Sequence, residues 1–190
     1  PRGADAVLHV RCGNGHLGAR VKQRGARNVI GVEADAKAAA QARVELDRVI
    51  ECSLDGLLLP FGDGHFDCVL CLDAIEDVRS PGALLRECAR LTATDGVVLV
   101  SFPNARYFEF LDRTVNGASS FEDVSIVEKE HSRCFLREIV ETMIREAGLE
   151  ILEIGPLRMA PRHRLPRDEG GSIRLARMTL GPLSDAEHDD

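Results

Sequence analysis

The chain has 190 residues, a net charge of −7 and 44% hydrophobic residues, enough for one domain with a substantial core. The acidic balance argues against a nucleic-acid backbone as main partner, and no apolar run approaches the roughly 20 residues that cross a bilayer. No amino-terminal signal pattern is visible, and the chain begins a few residues before its first apolar run, which reads as a trimmed chain or a domain cut from something longer.

In chain order, Ala6–Val10 predicts a buried strand. It empties into a glycine turn, Gly13-x-Gly15-x-x-Gly18, that runs into a helix over residues 16–24, ended by Gly25. A second strand, Asn28–Glu33, precedes an alanine-rich helix over 36–47, and a third strand covers 49–52. The turn-rich LPFGDGH leads to a fourth strand, Phe66–Leu72. Ser80 is placed to cap a helix with Pro81 at its first position, where a missing N–H costs nothing. Leu84, Leu85, Cys88 and Leu91 form its apolar face. Asp95-Gly96 predicts a turn into a fifth strand over 97–102.

Beyond Pro103 the rhythm breaks. Residues 106–134 predict a lid or substrate insertion, since polar stretches of this length in an α/β frame commonly cover ligands. Leu136, Ile139, Val140, Met143, Ile144 and Ala147 then mark one helical stripe that stops at Gly148. Strands are expected over 149–154 and 172–180, separated by a basic loop holding Arg158, Arg162, His163, Arg164 and Arg167, read as a solvated surface. The domain therefore covers 1–182, and the acidic residues 183–190 form a disordered tail.

Six cysteines are present. Cys68 and Cys71 make C-x-x-C, but on a strand residues three apart point to opposite faces and cannot close on one metal. Cys12, Cys52, Cys88 and Cys134 are scattered, so no metal is expected. Reduced cysteines packed as small hydrophobes fit a cytoplasmic protein.

Chemistry concentrates at the glycine turn. Alternating strands and helices imply a parallel sheet covered on both faces, with the ligand at the strands' carboxyl ends. The glycines admit a close ligand, the helix amino end offers free N–H groups, and Glu33, 20 residues past Gly13, stands where a carboxylate grips ribose hydroxyls. Taken alone this is also a dinucleotide fingerprint. A reductase pairing a tyrosine with a lysine four residues on is not found, because Tyr107 is followed at that distance by Leu111. A phosphate loop would need G-K-[ST] at the helix start, which is absent.

The segments VLHVRCGNGHLG, GVEAD, LPFGDGHFDCV, DAIED and HSRCF, spanning Val7 to about Pro156, resemble a known family in order and spacing. This is the small-molecule branch of the class I S-adenosylmethionine-dependent methyltransferases, whose members carry VLDVGCGxGxLG, GVExD, LPFxDGxFDVV, D-x-x-E-H and HLRFF. The resemblance implies a Rossmann-like, doubly wound, mostly parallel seven-stranded α/β sheet with an antiparallel last strand. It also implies S-adenosylmethionine as cofactor and a small-molecule acceptor, with O-methylation favoured.

By that resemblance, Gly13 and Gly15 line the methionine and ribose side, Glu33 accepts from the ribose, Ala34 packs on adenine, and Ser53 and Leu54 lie at its edge. Cys71 faces the methionine end through its carbonyl. His131 is the candidate base that takes a hydroxyl proton, with Asn104 and Tyr107 orienting it. Glu76 and Asp77 lie on the acceptor side, and His16 opens the first helix near the cofactor carboxylate. Four positions depart from the pattern: His9 for an acid, Arg11 for the first glycine, Ser53 for an adenine-side Asp and Asp77 for the histidine of E-H. Arg11 is placed to enter the methionine pocket or pair with Asp73. The departures define the alternative reading, a non-catalytic methyltransferase-fold module acting as partner or scaffold within a larger polypeptide.

Overall fold

The computed structural model describes residues 4–105 and 133–156, together with the backbone of two short strands near the carboxyl end. The chain divides into two compact units, Pro1–Phe102 with Glu138–Glu150, and Pro103–Arg137 with Ile151–Asp190. The first holds a five-stranded parallel sheet formed by β1 (Ala6–Val10), β2 (Asn28–Glu33), β3 (Arg48–Glu51), β4 (Phe66–Leu72) and β5 (Thr92–Ser101), in the order β3-β2-β1-β4-β5. The helices are α1 (His16–Gln23), α2 (Ala36–Glu45), α3 (Pro81–Leu91) and α4 (Arg137–Glu146).

A parallel sheet covered on both faces buries successive residues regardless of direction. Accordingly Val7, Leu8, His9 and Val10 of β1 are all buried, as are Val29 to Glu33 of β2. On one side Val7, Val29, Cys68 and Leu70 pack with Ala42 and Leu46. On the other, Cys71 hydrogen-bonds Cys88 of α3, which together with burial pushes the Cys71 thiol well up. Cys68 and Cys71 thus serve opposite faces, and no disulfide forms among the described cysteines.

The sheet differs from the seven-stranded expectation. Among the described residues, 149–154 form no strand, and the expected strand over 172–180 is two short ones, β6 (Ile173–Leu175) and β7 (Met178–Leu180). These pair antiparallel as a separate two-stranded sheet in the second unit. The Asp95-Gly96 turn lies inside β5. Phe66 pairs with Thr92 and Cys68 with Val97, so the chain bulges between Thr92 and Val97. A Cβ on Gly96 would come within 2.7 Å of Thr92 Cγ2 and 2.9 Å of the Ala93 carbonyl, so the turn signal marks this bulge. Ser80 makes no side-chain cap on α3; its carbonyl accepts from Ala83 and Leu84 instead.

Helix α2 begins under an Asp35 cap, whose carboxylate accepts from the Ala38 N–H at 2.7 Å. It stops before the expected Asp47 because that carboxylate accepts from the Val29 N–H and from Lys22 Nζ, each at 2.8 Å. Burial raises the Asp47 pKa, but these donors outweigh it and hold the group below the usual carboxylate range. Asp47→Ala is expected to cost about 1–2 kcal/mol, mostly from the orphaned Val29 N–H. Asp47→Asn, which keeps an acceptor, is expected to cost less; urea unfolding of the two variants checks the order.

Candidate functional site

In a doubly wound sheet the ligand crevice opens at the carboxyl ends of the strands, where the strand order reverses. Here β1 to β3 run outward one way, and the chain then crosses to β4 on the far side of β1. The crevice is therefore bordered by the turn after β1, the end of β2 and the turn after β4.

The turn after β1 winds through three left-handed residues, Arg11 (φ 56°), Gly13 (φ 55°) and Gly15 (φ 87°). It is closed by a hydrogen bond from the Gly15 N–H to the Cys12 carbonyl at 3.0 Å. Its glycines have different physical reasons. A Cβ on Gly15 would meet the Ala42 backbone at 2.9 Å, and one on Gly18 would meet Leu46 Cδ2 at 2.5 Å. Those two positions seat the turn and α1 against α2 and its end. Around Gly13 nothing among the described residues lies within 4 Å of such an atom, which leaves open space beside a backbone that a ligand can approach.

Glu33 ends β2 as a buried residue whose carboxylate organises this corner. Oε2 accepts from the Gly13 N–H at 2.8 Å, while Oε1 accepts from Ala34 and Asp35 at 2.8 and 2.9 Å. A carboxylate offers about four acceptor sites, so one remains, on Oε2 next to Gly13. Ala34 is exposed at the lip. Ser53 is exposed and its hydroxyl accepts from the Asp55 N–H at 3.1 Å, with Leu54 half-buried beside it. His16 is exposed at the start of α1, and its N–H donates to Asn14 Oδ1 at 3.3 Å.

His9, which replaces an acid in the motif, lies beneath the turn at 4% exposure, and its Nδ1 has no hydrogen-bond partner among the described residues. Burial pushes its pKa down to about 4 against the pull of Glu33, so the imidazole is neutral near pH 7. Glu33, not position 9, supplies the carboxylate that orders the glycine turn.

On the β4 side, Asp73 is left-handed (φ 48°). Its N–H donates to Ser101 Oγ at 3.0 Å, and that hydroxyl donates to Asp73 Oδ1 at 2.6 Å. Arg11 Nη1 donates to the Asp73 carbonyl at 2.6 Å, and Nη2 pairs with the Asp77 carboxylate at 2.7 Å. The expected Arg11–Asp73 pairing is thus a bond to the backbone of Asp73, with Asp77 as the charge partner. Glu76 is fully buried, and burial, followed by the charges of Asp73 and Asp77, raises its pKa to about 7 despite its own backbone N–H and Arg11.

The structure brings Gly13, Glu33, Ala34, Arg11 and Asp77 to one end of the sheet, while the Cys71 thiol is bonded to Cys88 of α3. Asp73 was expected as a partner of Arg11, but Ser101, its anchor, went unnoticed; a polar residue ending β5 beside the turn after β4 was the available signal. Asn104 belongs to the second unit, where it forms a parallel bridge with Phe135. Tyr107 and His131, like most of the expected lid, lie outside the described residues. Among the described residues no cluster of His, Cys, Asp or Glu could hold a metal ion, and no helix is long and apolar enough to cross a membrane.

A glycine turn open at Gly13 and tied to a strand-end glutamate, beside a topological switch point, suits a nucleoside in a methyltransferase-like α/β fold. The comparisons bear on the fold and the family. Residues 8–100 match the family model described as a methyltransferase domain. A ubiquinone biosynthesis O-methyltransferase from Neisseria meningitidis is 28% identical over 153 residues, covering 77% of this chain and 64% of that protein. One from Pseudomonas aeruginosa is 32% identical over 157 residues, covering 78% and 66%. The chain thus spans just under two thirds of the length of these relatives. Among solved structures, a SAM-dependent methyltransferase from Thermotoga maritima, a possible histamine N-methyltransferase, superposes with a TM-score of 0.61 at 24% identity, over 78% of this chain and 65% of that one. The chain belongs to the class I S-adenosylmethionine-dependent methyltransferase family. Its relatives are named as enzymes, so the alternative of a non-catalytic module gains no support from them.

Proposed function

We propose that the protein is an S-adenosylmethionine-dependent methyltransferase acting on a small-molecule hydroxyl acceptor. The observation that carries this is the Glu33–Gly13 corner: among the described residues, a buried carboxylate with one acceptor site left, next to a turn where nothing lies within 4 Å of the Gly13 Cβ position. That corner fits a ribose hydroxyl approaching a bare backbone. O-methylation draws on the printed activity of the Neisseria and Pseudomonas relatives.

When bound, S-adenosylmethionine supplies an already activated methyl group, so the protein's work is alignment and exclusion of water. Glu33 and Gly13 hold the ribose edge, Ala34, Ser53 and Leu54 border the base, and Gly15 keeps the turn seated on α2. The Cys71 carbonyl, Glu76 and Asp77 border the methionine and acceptor side. A hydroxyl acceptor must lose its proton, and the motif resemblance nominates His131 to take it, with Asn104 and Tyr107 as candidate orienting groups.

The test is calorimetric titration of the folded protein with S-adenosylhomocysteine, with NADH run alongside. Micromolar binding of the first alone is expected. Binding of NADH alone would replace this reading with a dinucleotide one, and binding of neither would remove the cofactor assignment.

A further inference from the structure

One side chain joins the two borders of the crevice. Arg11 leaves the end of β1 and makes two short contacts, to the Asp73 carbonyl at 2.6 Å and the Asp77 carboxylate at 2.7 Å, on the turn after β4. The sheet order reverses between these strands, so the guanidinium crosses the place where such sheets take their ligands. The contact is held against a local cost, because φ at Arg11 is 56° and glycine adopts that conformation without strain. The receiving carbonyl is held from behind, since the Asp73 turn is bonded to Ser101 through both backbone and side chain. The two ends of the ion pair are also two of the four departures from the motif pattern, Arg11 for glycine and Asp77 for histidine. Far apart in sequence, they meet directly.

We propose that Arg11 is a specificity-determining residue of this crevice. Its guanidinium sits on a carbonyl and a carboxylate, acceptors that suit the ammonium group of a ligand's amino-acid end. A ligand bearing that group must displace Arg11, whereas a nucleoside without one does not compete. The inference rests on the reading that the crevice takes S-adenosylmethionine.

The experiment is calorimetric titration of wild type, Arg11→Gly and Arg11→Ala with two probes, each protein first shown to be folded by circular dichroism. S-adenosylhomocysteine carries the amino-acid end, and 5′-deoxy-5′-methylthioadenosine is a similar nucleoside lacking it. Both variants are expected to bind S-adenosylhomocysteine at least tenfold tighter than wild type, with the nucleoside changed less than twofold. A gain in the glycine variant alone would assign the effect to backbone freedom and overturn the inference. Unchanged or weaker binding of S-adenosylhomocysteine in both variants would overturn it too, while leaving the cofactor reading in place. Failure of all three folded proteins to bind either probe would sink the cofactor reading, and this inference with it.

Discussion

Glu33→Ala is expected to weaken S-adenosylhomocysteine binding by at least a hundredfold and to destabilise the chain as well. The carboxylate is an acceptor for three backbone N–H groups, from Gly13, Ala34 and Asp35. Its loss would therefore strip the proposed ribose contact and orphan three donors around a residue only 7% exposed. Hydrogen bonds to a charged group contribute about 1.5–3 kcal/mol each, and a donor left facing water regains part of that. A net loss of about 3 kcal/mol in stability follows, with the glycine turn released from β2. Glu33→Gln separates the two roles. Its amide oxygen can still accept from Ala34 and Asp35, but its NH₂ then faces the Gly13 N–H, so only one backbone partner is lost. Stability should fall by about 1–2 kcal/mol, while ligand affinity still drops at least tenfold, because the remaining acceptor site beside Gly13 becomes a donor. Urea unfolding and calorimetric titration of both variants check this. A glutamine variant that binds as tightly as wild type would show that the ligand does not use Glu33.

The sheet was legible where local pattern and tertiary demand agree. β1, β2 and β4 have the expected bounds because each is a short apolar run closed by a polar or glycine stop, and each is buried on both faces. α2 was drawn too long because helix propensity favours continuing through Asp47; the chain leaves the helix there to satisfy the Val29 N–H, a partner on another element. Residues 149–154 carry a strand-like mixture of Leu, Ile and Glu, yet a strand exists only beside a partner, and no periodicity reveals one. Leu152 is 77% exposed. The site divides the same way. Glu33 and Gly13 were readable because a strand-end acid and a glycine turn have a fixed spacing in a βαβ unit. The Arg11–Asp77 pair was not, since it needs β1 and β4 to be neighbours, which the strand order supplies and a motif does not. Gly15 shows the opposite limit: the motif assigns it to the ligand, while the atoms it would strike belong to α2.

Two buried titrating groups at the site are expected to mask each other in the pH dependence of stability. The folded-state pKa of His9 is lowered from 6.5 to about 4, chiefly by burial. Above pH 6.5 the imidazole is neutral whether the chain is folded or not. As pH falls from there toward 4, only the unfolded chain takes up the proton, and stability drops by about 1.4 kcal/mol per pH unit. Glu76 acts in the reverse sense. Its folded-state pKa is raised from 4.5 to about 7, again chiefly by burial. Below pH 4.5 the carboxyl is protonated in both states; as pH rises toward 7 only the unfolded chain ionises, and stability falls by a similar slope. Between about pH 4.5 and 6.5 the two slopes oppose each other, and wild type should owe almost no net pH dependence to this pair. Glu76→Gln removes one arm, so its stability relative to wild type should climb by about 3 kcal/mol from pH 4.5 to 6.5. His9→Leu removes the other, and its relative stability should decline by a similar amount over the same interval. Measuring both as differences from wild type by urea unfolding cancels the surface carboxylates, which titrate alike in all three proteins. Difference curves that stay flat for both variants would mean that neither group is held in its neutral form by the fold. A slope in only one would assign the burial cost to that residue alone.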